Sequence, residues 1–111
     1  MKEEIVVLAA EKRWVFKNGG FTDIIKGKKP FISRVNLDRE PQYAAIFIKG
    51  EGEFRVIAEI DYTKSKLKRG EIWLKNPIPV RIPIRFGKDK LQGIRYTTFK
   101  KIITHETTDY L

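Results

Sequence analysis

The chain has 111 residues, a net charge of +9, 41% hydrophobic residues and no cysteine. The length suits one domain spanning residues 1–111, and the hydrophobic content argues against disorder throughout. Without cysteine there is no disulfide, thiolate metal site or cysteine nucleophile; a reducing cytoplasm is the expected location, and no apolar run approaches the ~18 residues of a membrane span.

The charge is distributed unevenly. Between Lys64 and Lys101 there are twelve basic residues and two acidic ones, a local excess of +10 that leaves −1 for the rest of the chain. A lysine-rich thermophilic surface would carry Lys and Glu together. A one-sided excess points instead to a polyanionic partner, RNA or DNA.

Ile5–Ala10 (IVVLAA) is a continuous apolar run and predicts a buried, central strand. Glu11–Phe16 (EKRWVF), ended by Asn18-Gly19-Gly20, reads as a helical turn or as more of the strand. Phe21–Lys26 predicts a short helical turn, and Gly27–Pro30 a turn or loop. Phe31–Leu37 is a strand or a loop. Tyr43–Lys49 and Phe54–Asp61 predict two strands of a hairpin, joined at Gly50-Glu51-Gly52-Glu53, where glycine permits positive φ. The alternation puts Phe54, Val56, Ala58 and Ile60 on one face.

Tyr62–Arg69 is a basic linker and Gly70 a turn. Ile72–Leu74 is apolar, Lys75-Asn76-Pro77 a break, and Val80, Ile82, Ile84 and Phe86 alternate with Arg81, Pro83 and Arg85. That pattern is a strand with one buried face, and Pro83 places it at a sheet edge. Gly87–Gly93 is a loop. Thr97 or Thr98 caps a short helix carrying Phe99, Ile102 and Ile103 on one face. The inventory predicts a mostly β (α+β) fold. It is a small β-barrel or strongly curved sheet of five to six strands, with one or two short helices.

Catalytic chemistry finds little support. His105 is the single histidine, which excludes a histidine metal cluster and leaves one candidate base near the end of the sequence. Glu59 and Asp61 share a strand face, a spacing that more often pairs with cross-strand lysines than with a metal. No phosphate-binding glycine loop is present. The chain is therefore expected to be no enzyme and to need no metal or cofactor.

Binding chemistry is better represented. Trp14 lies beside Lys12 and Arg13, which together offer a flat ring for a base and cations for phosphate. Trp73, Tyr43 and Tyr96 are further aromatic candidates, each with a competing place in the core. The candidate phosphate contacts are Arg34, Lys66, Lys68, Arg69, Arg81, Arg85 and Arg95.

Three segments, YAAIFIKGEGEFRVIAEID, NPIPVRIPIRF and LQGIRYTTFKKIIT, resemble the PUA-like superfamily, and within it the EVE and YTH-type domains. The likeness runs from Tyr43 to Thr104. It implies a hairpin beside a small barrel, a proline-bearing strand, and a closing helix. It also implies a nonenzymatic RNA- or DNA-binding module that can hold a modified base in an aromatic pocket. Trp14 would match one wall of that pocket, with Trp73 or Tyr43 as the other. The alternative is an interaction subunit that forms a homodimer or larger assembly by β-augmentation at the Val80–Phe86 edge.

Overall fold

The computed structural model describes residues 4–11, 20–32, 37, 39–83 and 95–98. Within them the elements are β1 (Glu4–Ala10), α1 (Gly20–Ile25), β2 (Phe31–Ile32), β3 (Tyr43–Ile48), β4 (Glu53–Ile60), a 3-10 turn at Leu67–Arg69, β5 (Glu71–Ile72), β6 (Leu74–Pro83) and β7 (Arg95–Thr98). Five strands form one mixed sheet in the order β6-β4-β3-β1-β7, and β2 pairs with β5 in a second, two-stranded sheet. The fold is mostly β, and among the described residues the larger sheet is open, with β6 and β7 at its edges.

β1 explains why its sequence does not alternate. It runs parallel to β3, from Ile5↔Tyr43 to Ala10↔Ile48, and antiparallel to β7, from Glu4↔Thr98 to Val7↔Arg95. Both of its faces are covered. Val6, Leu8 and Ala10 belong to one hydrophobic cluster, and Ile5 and Val7 to another on the opposite face. A strand buried on both sides needs apolar residues at every position.

The β3–β4 hairpin forms as expected. Gly50 and Gly52 have φ of 92° and 72°, a region open to glycine at no steric cost. The expected grouping of Phe54 with Val56, Ala58 and Ile60 does not hold. Ile46 pairs with Val56 but Phe47 pairs with Phe54, so Arg55 is an extra residue in β4. Such a bulge resets the alternation. Phe54 joins Phe47 and Ile57 in the second cluster, while Val56, Ala58 and Ile60 join the first.

Phe21 and Ile24 lie on one face of α1 and, with Phe31, Leu37 and Ile72, pack on the first cluster. The small sheet and the 3-10 turn cover the same side, since Leu67 packs there too.

β6 is an edge strand, as Pro83 predicted. Val80 and Ile82 pack on the second cluster while Arg81 and Pro83 are exposed. The break expected at Lys75–Pro77 is absent, because β6 runs unbroken from Leu74 to Pro83. Its register against β4 shifts twice, between Phe54/Val56 and between Ile57/Glu59. Asn76 absorbs the second irregularity at φ 50°, and its amide donates to the Glu59 carboxylate. Asn adopts this left-handed conformation at less cost than most residues.

Thr97 and Thr98, the expected caps of a short helix, are strand residues, and the body of that helix lies outside the described residues. Both residues lie in β7, opposite Ile5 and Glu4. Consecutive β-branched side chains suit a strand, and β1 offers an edge for it. Phe99 to Ile103 fall outside the described residues, as do Lys12 to Phe16, Ile84 to Gly93 and His105. Among the described residues no helix is long and apolar enough to cross a membrane.

Candidate nucleic-acid interface

The segment from Asp61 to Trp73 carries most of the described candidate chemistry. It leaves β4, turns at once, and returns through β5. The turn is set by Asp61, whose carboxylate accepts from the Thr63 hydroxyl and, at 3.0 Å, from the Thr63 backbone N–H. The Thr63 hydroxyl is the main reason the Asp61 carboxyl is held below its usual value; Lys75 and Lys64 add to it, and partial desolvation opposes. Lys66 then bridges Glu71 through paired backbone hydrogen bonds of 2.8 and 3.1 Å.

Trp73 is fixed inside this loop. Its backbone N–H donates to Ser65 Oγ at 2.8 Å and its carbonyl accepts from the Asp61 N–H at 2.8 Å. Its indole N–H donates to Glu71 Oε1 at 3.0 Å, and Lys64 Nζ stands 5.4 Å from the ring centroid. The ring is half-buried, so Trp73 is neither fully core nor a free platform.

Ser65 also lines an open groove of about 730 Å³, together with Leu37, Arg39, Glu40, Tyr62, Leu67 and Lys68. The groove lies where the 3-10 turn meets the segment before β3, and the Leu37 N–H donates to the Leu67 carbonyl at 3.1 Å. Tyr62 is 44% exposed, and its hydroxyl donates to the Pro41 carbonyl. Partial burial, and then the nearby Glu40, Tyr96 and Glu4, push its phenol up to about 12. Arg39 ion-pairs with Glu4 at 3.0 Å and lies over the Tyr96 ring at 4.9 Å.

The expected site residues divide accordingly. Lys68 lines the groove and Tyr96 stands behind it under Arg39. Lys66 and Arg69 are exposed on the same short segment, and Trp73 closes it. Arg81 is exposed on β6. Tyr43 is separated from this group: it packs on the second cluster, whereas Tyr96 packs on the first, on the other face of the sheet. Those two rings cannot face one base. Lys12, Arg13, Trp14, Arg34 and Arg85 lie outside the described residues, and Arg95 is placed in β7 by its backbone pairing with Val7.

Sequence reading missed Arg39, Glu40 and Tyr62. Tyr62 carried a usable signal, an aromatic leaving a strand directly into basic residues, the same pattern that singled out Trp14. Arg39 carried none, since its partners Glu4 and Tyr96 are distant in sequence.

The described ion pairs are Arg39–Glu4, Lys49–Glu11 and Arg55–Glu51. None involves Lys64, Lys66, Lys68, Arg69, Lys75 or Arg81, which are all exposed. Among the described residues no group of three or more His, Cys, Asp or Glu side chains could hold a metal ion. No family model, curated protein or solved structure matches the chain.

Proposed function

We propose that this chain is a nonenzymatic nucleic-acid-binding domain of PUA-like type, which contacts RNA or DNA through the segment Lys64–Arg81 and the groove beside it. The observation that carries the reading is the density of exposed cations on one short stretch of chain. Lys64, Lys66, Lys68, Arg69, Lys75 and Arg81 are all exposed and have no ion pair among the described residues, as is also true of Lys26, Lys28 and Lys29, whereas Arg39, Lys49 and Arg55 are each paired with a glutamate. Unpaired surface cations next to half-exposed rings suit a phosphate backbone with bases alongside. Catalysis is set aside because the sequence offers a single histidine and no cysteine.

The test is a binding titration against single-stranded RNA, single-stranded DNA and duplex DNA over a range of salt. Affinity should fall linearly on a log–log plot, with a slope of about −0.7 to −0.9 per phosphate neutralised. Absence of binding at low salt to every one of these polymers would remove the proposal.

A second reading uses β6 as a docking edge for another copy of the chain. Ile78, 61% exposed on that strand, favours it. Pro77, Pro79 and Pro83 oppose it, because each removes a donor from the strand, and the two register shifts disturb the rest. A dimer that persists in molar salt would favour this second reading.

A further inference from the structure

We infer that the groove beside Tyr62 holds one unpaired nucleobase bearing an exocyclic amino group, stacked on the Tyr62 ring with its amine donating to Glu40. The inference rests on the nucleic-acid reading above and narrows it to a strand state and a class of base.

Tyr62 is tethered at both ends. Its backbone lies in the turn that follows β4, and its hydroxyl is held by the Pro41 carbonyl, yet 44% of the residue remains exposed. A ring that is fixed before binding loses little freedom on stacking, which is the requirement for a base platform. Leu37 and Leu67 supply apolar walls, tied together by the Leu37 N–H to Leu67 carbonyl bond. The volume of about 730 Å³ falls in the range of small-ligand sites and accommodates a nucleotide.

The polar groups give the groove a direction. Glu40 is exposed and has no ion pair among the described residues. It lines the groove together with Tyr62, and its charge helps to raise the Tyr62 phenol. The neighbouring Arg39 does not cancel it, being engaged by Glu4 and by the Tyr96 ring. An ionised carboxylate only accepts hydrogen bonds. It therefore suits the amino group of adenine, cytosine or guanine, whereas uracil or thymine offers it only an N3–H flanked by two carbonyl oxygens that the carboxylate repels. Lys68, exposed at the rim, is the cation available for the attached phosphate. A base inside a duplex has both faces stacked and its amine paired, so it cannot make these contacts together.

The experiment is fluorescence anisotropy of the full chain with labelled short homopolymers of A, C and U or T, and with a duplex, in RNA and DNA forms at low salt. The A and C strands should bind about tenfold more tightly than U or T strands, and more tightly than the duplex. Glu40→Gln should abolish that base preference; Tyr62→Ala should weaken A and C binding about tenfold without changing the salt slope. Glu40 is exposed, so its variant tests the assignment even where Tyr62→Ala fails to fold. Equal affinity for all bases, a preference for duplex, or a preference that survives Glu40→Gln overturns the groove assignment and leaves general nucleic-acid binding standing. No binding to any strand at low salt overturns both.

Discussion

Phe54 meets Phe47 edge to face, with ring centroids 6.2 Å apart and ring planes at 85°. The pair exists because Arg55 is bulged out of β4, turning Phe54 to the face it would otherwise oppose. Phe54 is fully buried, so Phe54→Ala should cost about 3–5 kcal/mol in urea unfolding, from lost burial plus the cavity left behind. A loss under about 1 kcal/mol would show that this contact is not part of the core.

Gly27 and Gly52 both have positive φ, 75° and 72°, but differ in their surroundings. A Cβ on Gly27 would stand 2.8 Å from the Leu74 carbonyl oxygen, while a Cβ on Gly52 would meet nothing within 4 Å. Gly52→Ala should therefore cost about 1–2 kcal/mol, the backbone term alone. Gly27→Ala adds a clash with backbone where α1 docks on β6 and should be the more destabilising of the two. Matched thermal melts of the two variants check the order.

Thr97 is 5% exposed, and its hydroxyl has no hydrogen-bond partner among the described residues. Its strand partner Ile5 belongs to the second apolar cluster. Replacing the hydroxyl with a methyl of similar shape removes the desolvation cost of a buried polar atom. Thr97→Val should raise stability by about 1 kcal/mol, read as a higher denaturant midpoint at unchanged slope.

The Tyr62 phenol gives an alkaline signature. Its value is 10.0 when free and is raised to about 12 in the fold. The folded chain thus holds this proton more tightly, so the associated stability is complete below the free value. It declines as pH rises from 10.0 toward about 12. Tyr62→Phe should flatten that part of the decline, as shown by unfolding midpoints measured below and within the window.

Arg81 is exposed on β6 with no ion pair among the described residues, whereas Lys49 is held by Glu11 at 2.8 Å. Under the proposed function, Arg81→Ala should lower the magnitude of the salt slope of binding by about 1 and leave the melting temperature within experimental error. Lys49→Ala should leave the slope unchanged. Equal effects from the two would mean that binding follows total charge and not this surface.

The parts of the fold legible in the sequence are those fixed by short-range pattern. Ile5–Ala10 is apolar at every position because both faces are buried, and the β3–β4 hairpin follows from glycines between alternating runs. Pro83 placed the Val80–Phe86 strand at an edge, whereas Pro77, read as part of a break, lies within the same strand. What escaped reading depends on residues far apart. The face of Phe54 is decided by a bulge that its neighbours do not announce. Thr97 and Thr98 have local capping chemistry but pair with β1, most of the sequence away. The groove required Tyr62 to be held by a carbonyl 21 positions earlier, and Arg39 to find partners at Glu4 and Tyr96.

The pairing of β1 with both β3 and β7 has a consequence for biosynthesis. The 85 positions from Ala10 to Arg95 separate β1 from its β7 neighbour, an interval of roughly 4–17 s at the ~5–20 residues per second of translation. For that time the edge of Ile5–Val7 that faces β7 lacks its native partner. An uncharged, β-prone edge of this kind is a template for pairing with other nascent chains. Soluble yield should therefore respond to translation rate and to chaperone supply more strongly than the stability of the finished fold would suggest.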